Sequence, residues 1–274
     1  MKLYCVIPTL NNSAGLAALL KSLYGQTRRP DGVIVVDNAS ADDTGAVVRG
    51  FPGVEYVRLP ENFGSAGGYY EGIRSAAAKA DLLFLSDDDA TFKPDALEKL
   101  ESALRELSAS SPAGAVRCAW DTFRGEKPEM VVDAAWSGTL IKSEVVGKIG
   151  LPLRELFLYS EDVEYFSRMR KAGFPIYVVP GAEYLTRFEG HKRTVGFAFR
   201  SASVYKDVFR FYYAFRNEIY VSRLHDLGRQ MKVLSYFLKI ALFLRPAAIF
   251  ACLDGLKDGF RGSLGKNEKY RVIR

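Results

Sequence analysis

The sequence has few of the residues that build disulfide-linked or zinc-bound folds. Its 274 residues include 3 cysteines and 2 histidines, and the cysteines form no Cys-x-x-Cys pair. This sparse, odd set argues against a disulfide scaffold and a zinc ribbon, and it fits a reducing compartment. Apolar residues make up 48% of the chain and charged residues 26%, which excludes a disordered protein and allows one large domain with or without a smaller appendage.

The sequence also lacks a long apolar run that is free of charge. A membrane-spanning helix needs about 20 predominantly apolar residues. The most apolar stretch, residues 231–253, is interrupted by Lys239, Arg245 and Pro246, which predicts helices that lie on a membrane or pack on the protein body. The first apolar run ends at Pro8 and is too short for a signal-peptide core, so a cytoplasmic protein is expected.

Charge divides the chain into two unequal parts. The formal net charge is +6, yet residues 191–274 hold 17 Lys and Arg against 6 Asp and Glu, so residues 1–190 are net acidic. A basic segment of this kind predicts contact with nucleic acid, an anionic membrane surface or a polyanionic substrate. We therefore expect an acidic body over 1–190 and a basic, aromatic-rich helical region over 191–274.

The first part alternates strand-like and helix-like segments. Short apolar or β-branched runs predict strands at 3–8, 32–37, 54–59 and 82–85, with helical spacing between them. This alternation predicts an α/β fold whose mainly parallel sheet is flanked by helices. Ligands of such sheets bind beyond the carboxyl ends of the strands. Polar or glycine-rich residues follow all four strands, which predicts a binding site at that edge.

Three adjacent carboxylates follow the fourth predicted strand: Asp87, Asp88 and Asp89. Like charges this close repel one another by about a kcal/mol per pair near a protein surface. Mg²⁺ or Mn²⁺ removes that repulsion and typically takes one or two carboxylates together with substrate phosphate oxygens. Asp87 and Asp89, at alternate positions, are the natural clamp for such an ion, and a solvated acidic turn is the alternative.

Two further segments carry candidate site residues. Residues 62–74 form a glycine-rich loop running into a helix, which favours a phosphate or sugar close to the backbone. In the second segment, Ser160 is a plausible helix N-cap, followed in the first turn by Glu161 and Asp162. Acidic residues there are ordinary partners of the helix dipole, or one of them is a general base that faces an acceptor hydroxyl.

Five motifs stand in order along residues 1–190: Ile7-Pro8-Thr9, Val36-Asp37-Asn38-Ala39-Ser40, Asn62 to Gly68, Asp87-Asp88-Asp89, and Glu161-Asp162 followed by Arg168. In this order they resemble glycosyltransferase family 2. The resemblance implies a GT-A type fold, with a Rossmann-like nucleotide-binding half, and transfer from a sugar nucleotide with inversion. Arg216-Asn217 and the segment 254–259 extend the likeness towards bacterial galactofuranosyl- and rhamnosyltransferases.

The resemblance also implies a role for each matching residue. It implies that Asp87, Asp89 and His191 bind Mn²⁺ or Mg²⁺. Asp162 is the expected catalytic base, Glu161 positions the acceptor, and Trp136 stacks against a sugar ring. The residues expected to bind the nucleotide or the donor sugar are Pro8, Thr9, Asp37, Asn62, Gly67, Gly68, Asp87 and Asp88.

The expected reaction is hexosyl transfer in the synthesis of a bacterial cell-surface polysaccharide. UDP-galactofuranose is the favoured donor, and the expected acceptor is a lipid-linked saccharide at the inner face of the plasma membrane. A rhamnosyltransferase that uses dTDP-rhamnose is the alternative. A nucleotidyltransferase is remoter, because no basic glycine-rich loop follows the first strand. A non-enzymatic RNA- or membrane-binding module leaves the carboxylates unexplained, so no nucleic-acid partner is expected; an oligomer is left open.

Overall fold

The computed structural model describes residues 1–120, 122–132, 134–186, 192–197, 200–225, 227–241 and 244–271. The chain forms two compact units, Met1–Pro152 with Tyr165–Phe188, and Leu153–Glu164 with Glu189–Arg274. The domain boundary expected near residue 190 assigns residues 153–164 to the catalytic part. In the structure that segment clusters with the C-terminal unit, because helix side chains of this unit bind its backbone.

A mixed β-sheet forms the centre of the first unit. Its strands are β1 (Leu3–Thr9), β2 (Gly32–Asp37), β3 (Val54–Arg58), β4 (Leu82–Leu85), β5 (Ala90–Phe92), β6 (Ala115–Ala119), β7 (Glu129–Val131), β8 (Thr139–Lys142) and β9 (Ile176–Thr186). The strand order is β3-β2-β1-β4-β8-β6-β9-β5, with β7 also paired to β9. The first four strands are parallel to one another, whereas β8 runs antiparallel between β4 and β6.

Helices cover both faces of this sheet. They are α1 (Ser13–Tyr24), α2 (Thr44–Arg49), α3 (Gly64–Ala77), α4 (Ala96–Ser108), α5 (Ser143–Ile149) and α6 (Glu161–Lys171), which begins in the second unit. Alternation along β1 explains the two layers: Leu3, Cys5 and Ile7 join a core cluster with α1 and α4, while Val6 joins another with α3 and α5. The predicted helix-flanked α/β sheet is confirmed.

Helices dominate the second unit. They are α7 (Val208–His225), α8 (Leu227–Ala241) and α9 (Pro246–Arg261), accompanied by an antiparallel pair, β10 (Lys192–Phe197) and β11 (Arg200–Tyr205). The apolar stretch 231–253 is thus divided between α8 and α9, with Pro246 at the start of α9. Within the ranges described above, none of the helices has the length and apolar character that crossing a membrane requires.

The three cysteines are unpaired and buried. Burial raises the pKa of Cys118 and of Cys252 to about 12, and it raises the pKa of Cys5 further still. Cys5 and Cys118 belong to the first unit and Cys252 to the second. As the composition predicted, no cysteine belongs to a disulfide scaffold.

Candidate active site

The carboxyl ends of β1, β2 and β4 lie side by side, because β1 pairs in parallel with both neighbours. Thr9, the last residue of β1, stands opposite Asp37, the last residue of β2. The aspartates at 87–89 follow β4 at the same edge. Polar groups from separate parts of the sequence therefore lie together at the edge of the sheet where the sequence predicts a binding site.

Asp88 joins the loop after β1 to the loop after β4. One of its carboxylate oxygens accepts a hydrogen bond from the Thr9 hydroxyl (2.5 Å), and the other accepts from the Asn12 side-chain amide (2.9 Å). Burial raises the pKa of Asp88 to about 6, although the bonds from Thr9 and Asn12 favour its charged form. Asp88 therefore fixes the two loops against each other, with both of its oxygens engaged by protein donors.

Asp87 is exposed, and its carboxylate is held from the side of α3. The Tyr69 hydroxyl donates to Asp87 Oδ1 at 2.8 Å, and the Asp87 N–H group donates to the Ser137 hydroxyl oxygen at 3.3 Å. Tyr69 received no role from the sequence. The sequence could have predicted this contact. The helical spacing of Tyr69 and Ile73 places both on the buried face of α3, and a buried tyrosine hydroxyl needs a polar partner.

Trp136 supports Tyr69 from behind. The two rings are stacked, with centroids 4.8 Å apart and an interplanar angle of 26°. Tyr165 and Phe166 contact the same indole ring, each with a centroid distance of 5.2 Å, and Trp136 is only 3% exposed. This corrects the expectation that Trp136 offers an open face to a sugar ring, because core side chains already occupy its surroundings.

The predicted glycine-rich loop is the start of helix α3. The N–H group of Gly67 donates to the Phe63 carbonyl (3.3 Å), so it is engaged inside the helix. A Cβ at Gly68 would come within 2.7 Å of the Pro8 side chain and 3.0 Å of Asn38. Close packing of α3 on β1 therefore accounts for Gly68 and Pro8. The expected closeness of the Gly67 and Gly68 backbone to the diphosphate or the donor sugar stays a prediction.

Two asparagines hold the turn that leads into α3. Asn62 Oδ1 accepts from the N–H group of Gly64 (2.8 Å), and Asn38 Oδ1 accepts from the N–H group of Phe63 (3.1 Å). Gly64 has a φ of 72°, a conformation that glycine adopts without steric cost. Asn62 thus lies at the predicted edge, and the structure gives it a role in shaping the turn.

Asp37 is fully buried, and protein donors engage it. Its carboxylate accepts hydrogen bonds from the Ser40 N–H group (2.8 Å), the Tyr56 hydroxyl and the Arg58 guanidinium (2.9 Å). The Asp37 carboxylate therefore holds the turn at Ser40, and its expected part in nucleotide binding stays a prediction. Arg58, which the sequence did not single out, is half-exposed at the end of β3 and is fixed there by Asp37 and by the Ser40 carbonyl (2.8 Å).

Asp87 and Asp89 are the candidate metal ligands of this edge. Burial raises the pKa of Asp89, so a cation beside it would offset the cost of its charge. No group of three His, Cys, Asp or Glu able to hold a metal occurs in the part of the chain that the structure describes. Two carboxylates still suit Mg²⁺ or Mn²⁺ that shares substrate phosphate oxygens. His191, the expected third ligand, lies outside the described residues.

Glu161 and Asp162 begin helix α6 and belong to the second unit. Glu161 is 4% exposed, whereas Asp162 is partly exposed and its Oδ1 accepts from the Val163 N–H group at 2.7 Å. Ser160 precedes α6, and its hydroxyl donates to Glu218 (3.0 Å). A negative charge in the first turn of a helix is stabilised by the helix dipole.

Comparisons with known proteins agree with this geometry. A family model described as "Glycosyl transferase family 2" matches residues 4–192. The galactofuranosyltransferase GlfT1 of Mycobacterium tuberculosis is 27% identical over 209 residues, which are 66% of this chain and 69% of that protein. An uncharacterized glycosyltransferase of Haemophilus influenzae is 35% identical over 104 residues, which are 37% of this chain and 34% of that protein.

Two solved structures show the same fold. TarS of S. aureus (1–349, in complex with UDP) has a TM-score of 0.65 and 17% identity, covering 95% of this chain and 80% of that one. A mannosyltransferase of Pyrobaculum calidifontis, in complex with GDP-Man and Mn²⁺, has a TM-score of 0.59 and 17% identity, covering 98% of this chain and 81% of that one. Since the family model spans more than half of its residues, this chain belongs to glycosyl transferase family 2 and is a glycosyltransferase.

Proposed function

We propose that this protein is an inverting galactofuranosyltransferase, which transfers galactofuranose from UDP-galactofuranose to a hydroxyl of a lipid-linked saccharide. The observation that carries the proposal is the edge at 87–89, where Asp88 locks the loops after β1 and β4 together and Asp87 and Asp89 flank it. The GlfT1 relatives, which are named galactofuranosyltransferases, support galactofuranose as the sugar.

The donor nucleotide is proposed to lie across the carboxyl ends of β1 to β4. Structural neighbours that contain UDP or GDP-Man support a nucleotide-linked donor. Thr9 and Asn62 line this edge, and Arg58 adds a positive charge that Asp37 holds in place. An arginine fixed in this way suits a phosphate or a base carbonyl, since its planar donors are already oriented.

Asp87 and Asp89 are proposed to hold Mn²⁺ or Mg²⁺, with His191 as a further ligand. When bound, such an ion neutralises charge on the departing nucleoside diphosphate. Tyr69 fixes the direction of the Asp87 carboxylate through its hydroxyl, and Trp136 keeps the Tyr69 ring in place by stacking on it. In this proposal Trp136 therefore acts on the metal site through Tyr69.

Asp162 is proposed to be the general base. It takes the proton of the acceptor hydroxyl while that oxygen forms a bond to the anomeric carbon. The bond from this carbon to the diphosphate oxygen breaks, and its electron pair leaves with UDP. Attack from the opposite face inverts the anomeric centre in one displacement. Glu161, beside it in the sequence, is proposed to position the acceptor.

The second unit is proposed to bind the cytoplasmic face of the membrane that carries the acceptor. Exposed apolar side chains stand on both of its later helices, including Leu238 on α8 (70% exposed) and Phe250 on α9 (63% exposed). Lys232 and Lys239 are also exposed on α8. Apolar side chains flanked by lysine suit the interface of an anionic bilayer.

The substitution Asp162→Asn tests the proposed reaction. We expect it to lower the rate of UDP release from UDP-galactofuranose by about 10²- to 10⁴-fold, the usual contribution of a general base. UDP with Mn²⁺ should still raise the unfolding temperature of the variant as it does for the wild type, because binding to the folded state stabilises it. Glu106→Gln, at an exposed position of α4, is the control and should keep full activity.

Three outcomes would contradict parts of the proposal. Near-wild-type transfer by Asp162→Asn would remove Asp162 as the base. Transfer from dTDP-rhamnose but not from UDP-galactofuranose would make the protein a rhamnosyltransferase. Release of pyrophosphate in place of a nucleoside diphosphate would exclude sugar transfer altogether.

A further inference from the structure

The segment just before Glu161 has an unusual backbone. Phe157, Tyr159 and Ser160 have φ values of 64°, 73° and 64°. Residues other than glycine adopt this left-handed region at an energetic cost, so three of them within four positions need support from their surroundings. We refer to residues 156–160 as the bent segment.

Asn217 on α7 supplies that support to the backbone of the bent segment. Its side-chain amide nitrogen lies 2.8 Å from the carbonyl oxygens of Leu156, Leu158 and Tyr159 alike. Its two N–H hydrogens are thus directed at the backbone on both sides of Phe157. Asn217 is fully buried, so removing its amide would leave buried carbonyl oxygens without these donors.

Arg216 orients Asn217 and adds a bond of its own. Its Nε donates to Asn217 Oδ1 (2.8 Å), which fixes the amide with its N–H groups facing the bent segment. One guanidinium nitrogen donates to the Leu156 carbonyl (2.8 Å) and another to the Gly265 carbonyl (2.5 Å). Arg216 is completely buried, and burial lowers its pKa. A buried cation is a poor choice for stability alone, because apolar replacements of buried charges are often neutral or stabilising.

Other side chains of α7 hold the side chains of the bent segment. Arg210 donates to the Tyr159 hydroxyl (2.5 Å), and Glu218 accepts from the Ser160 hydroxyl (3.0 Å). The ring of Tyr213 packs on that of Phe157, with centroids 4.8 Å apart. Each residue with a positive φ therefore has its own partner on this one helix.

The bent segment leads directly into the helix turn that carries Asp162. The carbonyl of Ser160 accepts from the N–H group of Glu164 (2.9 Å), so the last residue of the segment is already part of the helical hydrogen bonding of α6. Asp162 lies two positions later. The φ values at Tyr159 and Ser160 consequently set the direction in which this first turn leaves the segment.

We propose that Arg210, Arg216 and Asn217 are positioning residues of the transfer reaction, which together hold the bent segment and thereby the carboxylate of Asp162. The inference rests on the proposed role of Asp162 as the base. A displacement of about 1 Å in a reacting group costs roughly 100-fold in rate. Losing this support should therefore affect turnover and leave the nucleotide-binding edge of the first unit unchanged.

The test compares Asn217→Ala with a milder variant, Tyr159→Phe, which removes only the hydrogen bond from Arg210. We expect Asn217→Ala to lower kcat by roughly 100-fold and Tyr159→Phe to lower it several-fold, with KM for UDP-galactofuranose within about twofold of the wild type. The control is Ser222→Ala. Ser222 is equally buried on α7, and its hydroxyl bonds only to the Ile219 carbonyl of the same helix (2.9 Å) among the bonds described.

All rates are measured well below each variant's unfolding temperature, and UDP binding is followed by thermal shift. Unchanged kcat in Tyr159→Phe would overturn the inference even if Asn217→Ala fails to fold. The inference would also be overturned if Ser222→Ala lowered kcat as much as Tyr159→Phe does, because the effect would then come from the stability of α7 alone. Full activity of Asp162→Asn would instead overturn the proposed base, and the two failures are thus distinguishable.

Discussion

The side chain of Asp42 connects the loop after β1 to the loop after β2. Its Oδ2 accepts from the N–H group of Ser13, the first residue of α1, at 2.9 Å. Its Oδ1 accepts from the hydroxyl of Thr44, the first residue of α2, at 2.5 Å. Burial pushes the pKa of Asp42 upwards, but the Thr44 hydroxyl and the N–H groups of Ser13 and Thr44 together hold it below its ordinary value. The charged carboxylate therefore stabilises the starts of both helices.

The variant Asp42→Asn should be less stable than the wild type at pH 7, by about 1 kcal/mol, as for the loss of a helix cap. Since the pKa of Asp42 is lower in the folded state than in the unfolded chain, its contribution is present above about pH 4 and is lost as the pH falls below that. Urea unfolding of both proteins between pH 3 and 7 measures the difference. Asp43→Asn is the control, because Asp43 makes no side-chain cap hydrogen bond. A difference that stays constant with pH would contradict the assignment.

Individual partners at this edge could not be read from the sequence. Asp37 and Trp136 stand in motifs that suggested direct contact with substrate, yet Asp37 is engaged by Arg58 and Tyr56, and Trp136 is surrounded by Tyr69, Tyr165 and Phe166. A sequence pattern predicts the strand end at which a residue lies. It does not predict which distant side chain reaches it, because that depends on packing between elements.

At the scale of the elements, two glycines decide how closely α9 packs on α7. A Cβ at Gly255 would come within 2.5 Å of the Tyr212 carbonyl oxygen, and one at Gly259 would overlap the Arg216 carbonyl. These neighbours are backbone atoms of a helix, which cannot rotate away. Helix packing therefore explains the two glycines in the segment 254–259.

Gly259→Ala should destabilise the protein by about 1–3 kcal/mol, the usual cost of overpacking. That clash outweighs the gain of up to 1 kcal/mol that alanine brings to a helix interior. Gly147→Ala is the matched control, because a Cβ at this helical position of α5 meets nothing within 4 Å. It should be neutral or stabilising by about 0.5–1 kcal/mol. Thermal unfolding measures both variants, and equal stabilities would contradict the close packing of α7 and α9.

The parallel half of the sheet could be predicted because its signals are local. Each of its strands is a short apolar run followed at once by polar or glycine residues, and the helices between them keep a regular spacing. In the other half the sequence also predicts strands at 115–119, 139–141 and 176–179, but their order and direction in the sheet could not be predicted in this way. Strand β8 inserts antiparallel between β4 and β6, and β5 has only three residues, so their places depend on long-range pairing.

At the scale of the whole molecule, the segregation of charge and of exposed apolar side chains leads to a prediction about lipid binding. The double variant Leu238→Glu, Phe250→Glu should bind vesicles containing phosphatidylglycerol at least 10-fold more weakly than the wild type, because burying a carboxylate among acyl chains costs several kcal/mol. Wild-type binding should fall as salt rises. Co-sedimentation with the vesicles measures both effects.

The control for lipid binding is Met130→Glu, on β7 of the first unit. Met130 is 68% exposed, like Leu238, so this substitution matches one of the two changes in the double variant. It should leave vesicle binding unchanged. Equal binding by the double variant and the wild type, or an equal loss in Met130→Glu, would contradict the proposed membrane contact.

The distribution of the three cysteines has a further consequence. A thiol reacts with an alkylating reagent as its thiolate, so a buried thiol with a raised pKa reacts only while the structure around it is open. Cys5 and Cys118 are buried in the first unit, and Cys252 is buried on α9 in the second. The rate at which each thiol is alkylated therefore reports how often its own unit opens. Labelling the three cysteines separately would measure local unfolding in the two units without any introduced probe.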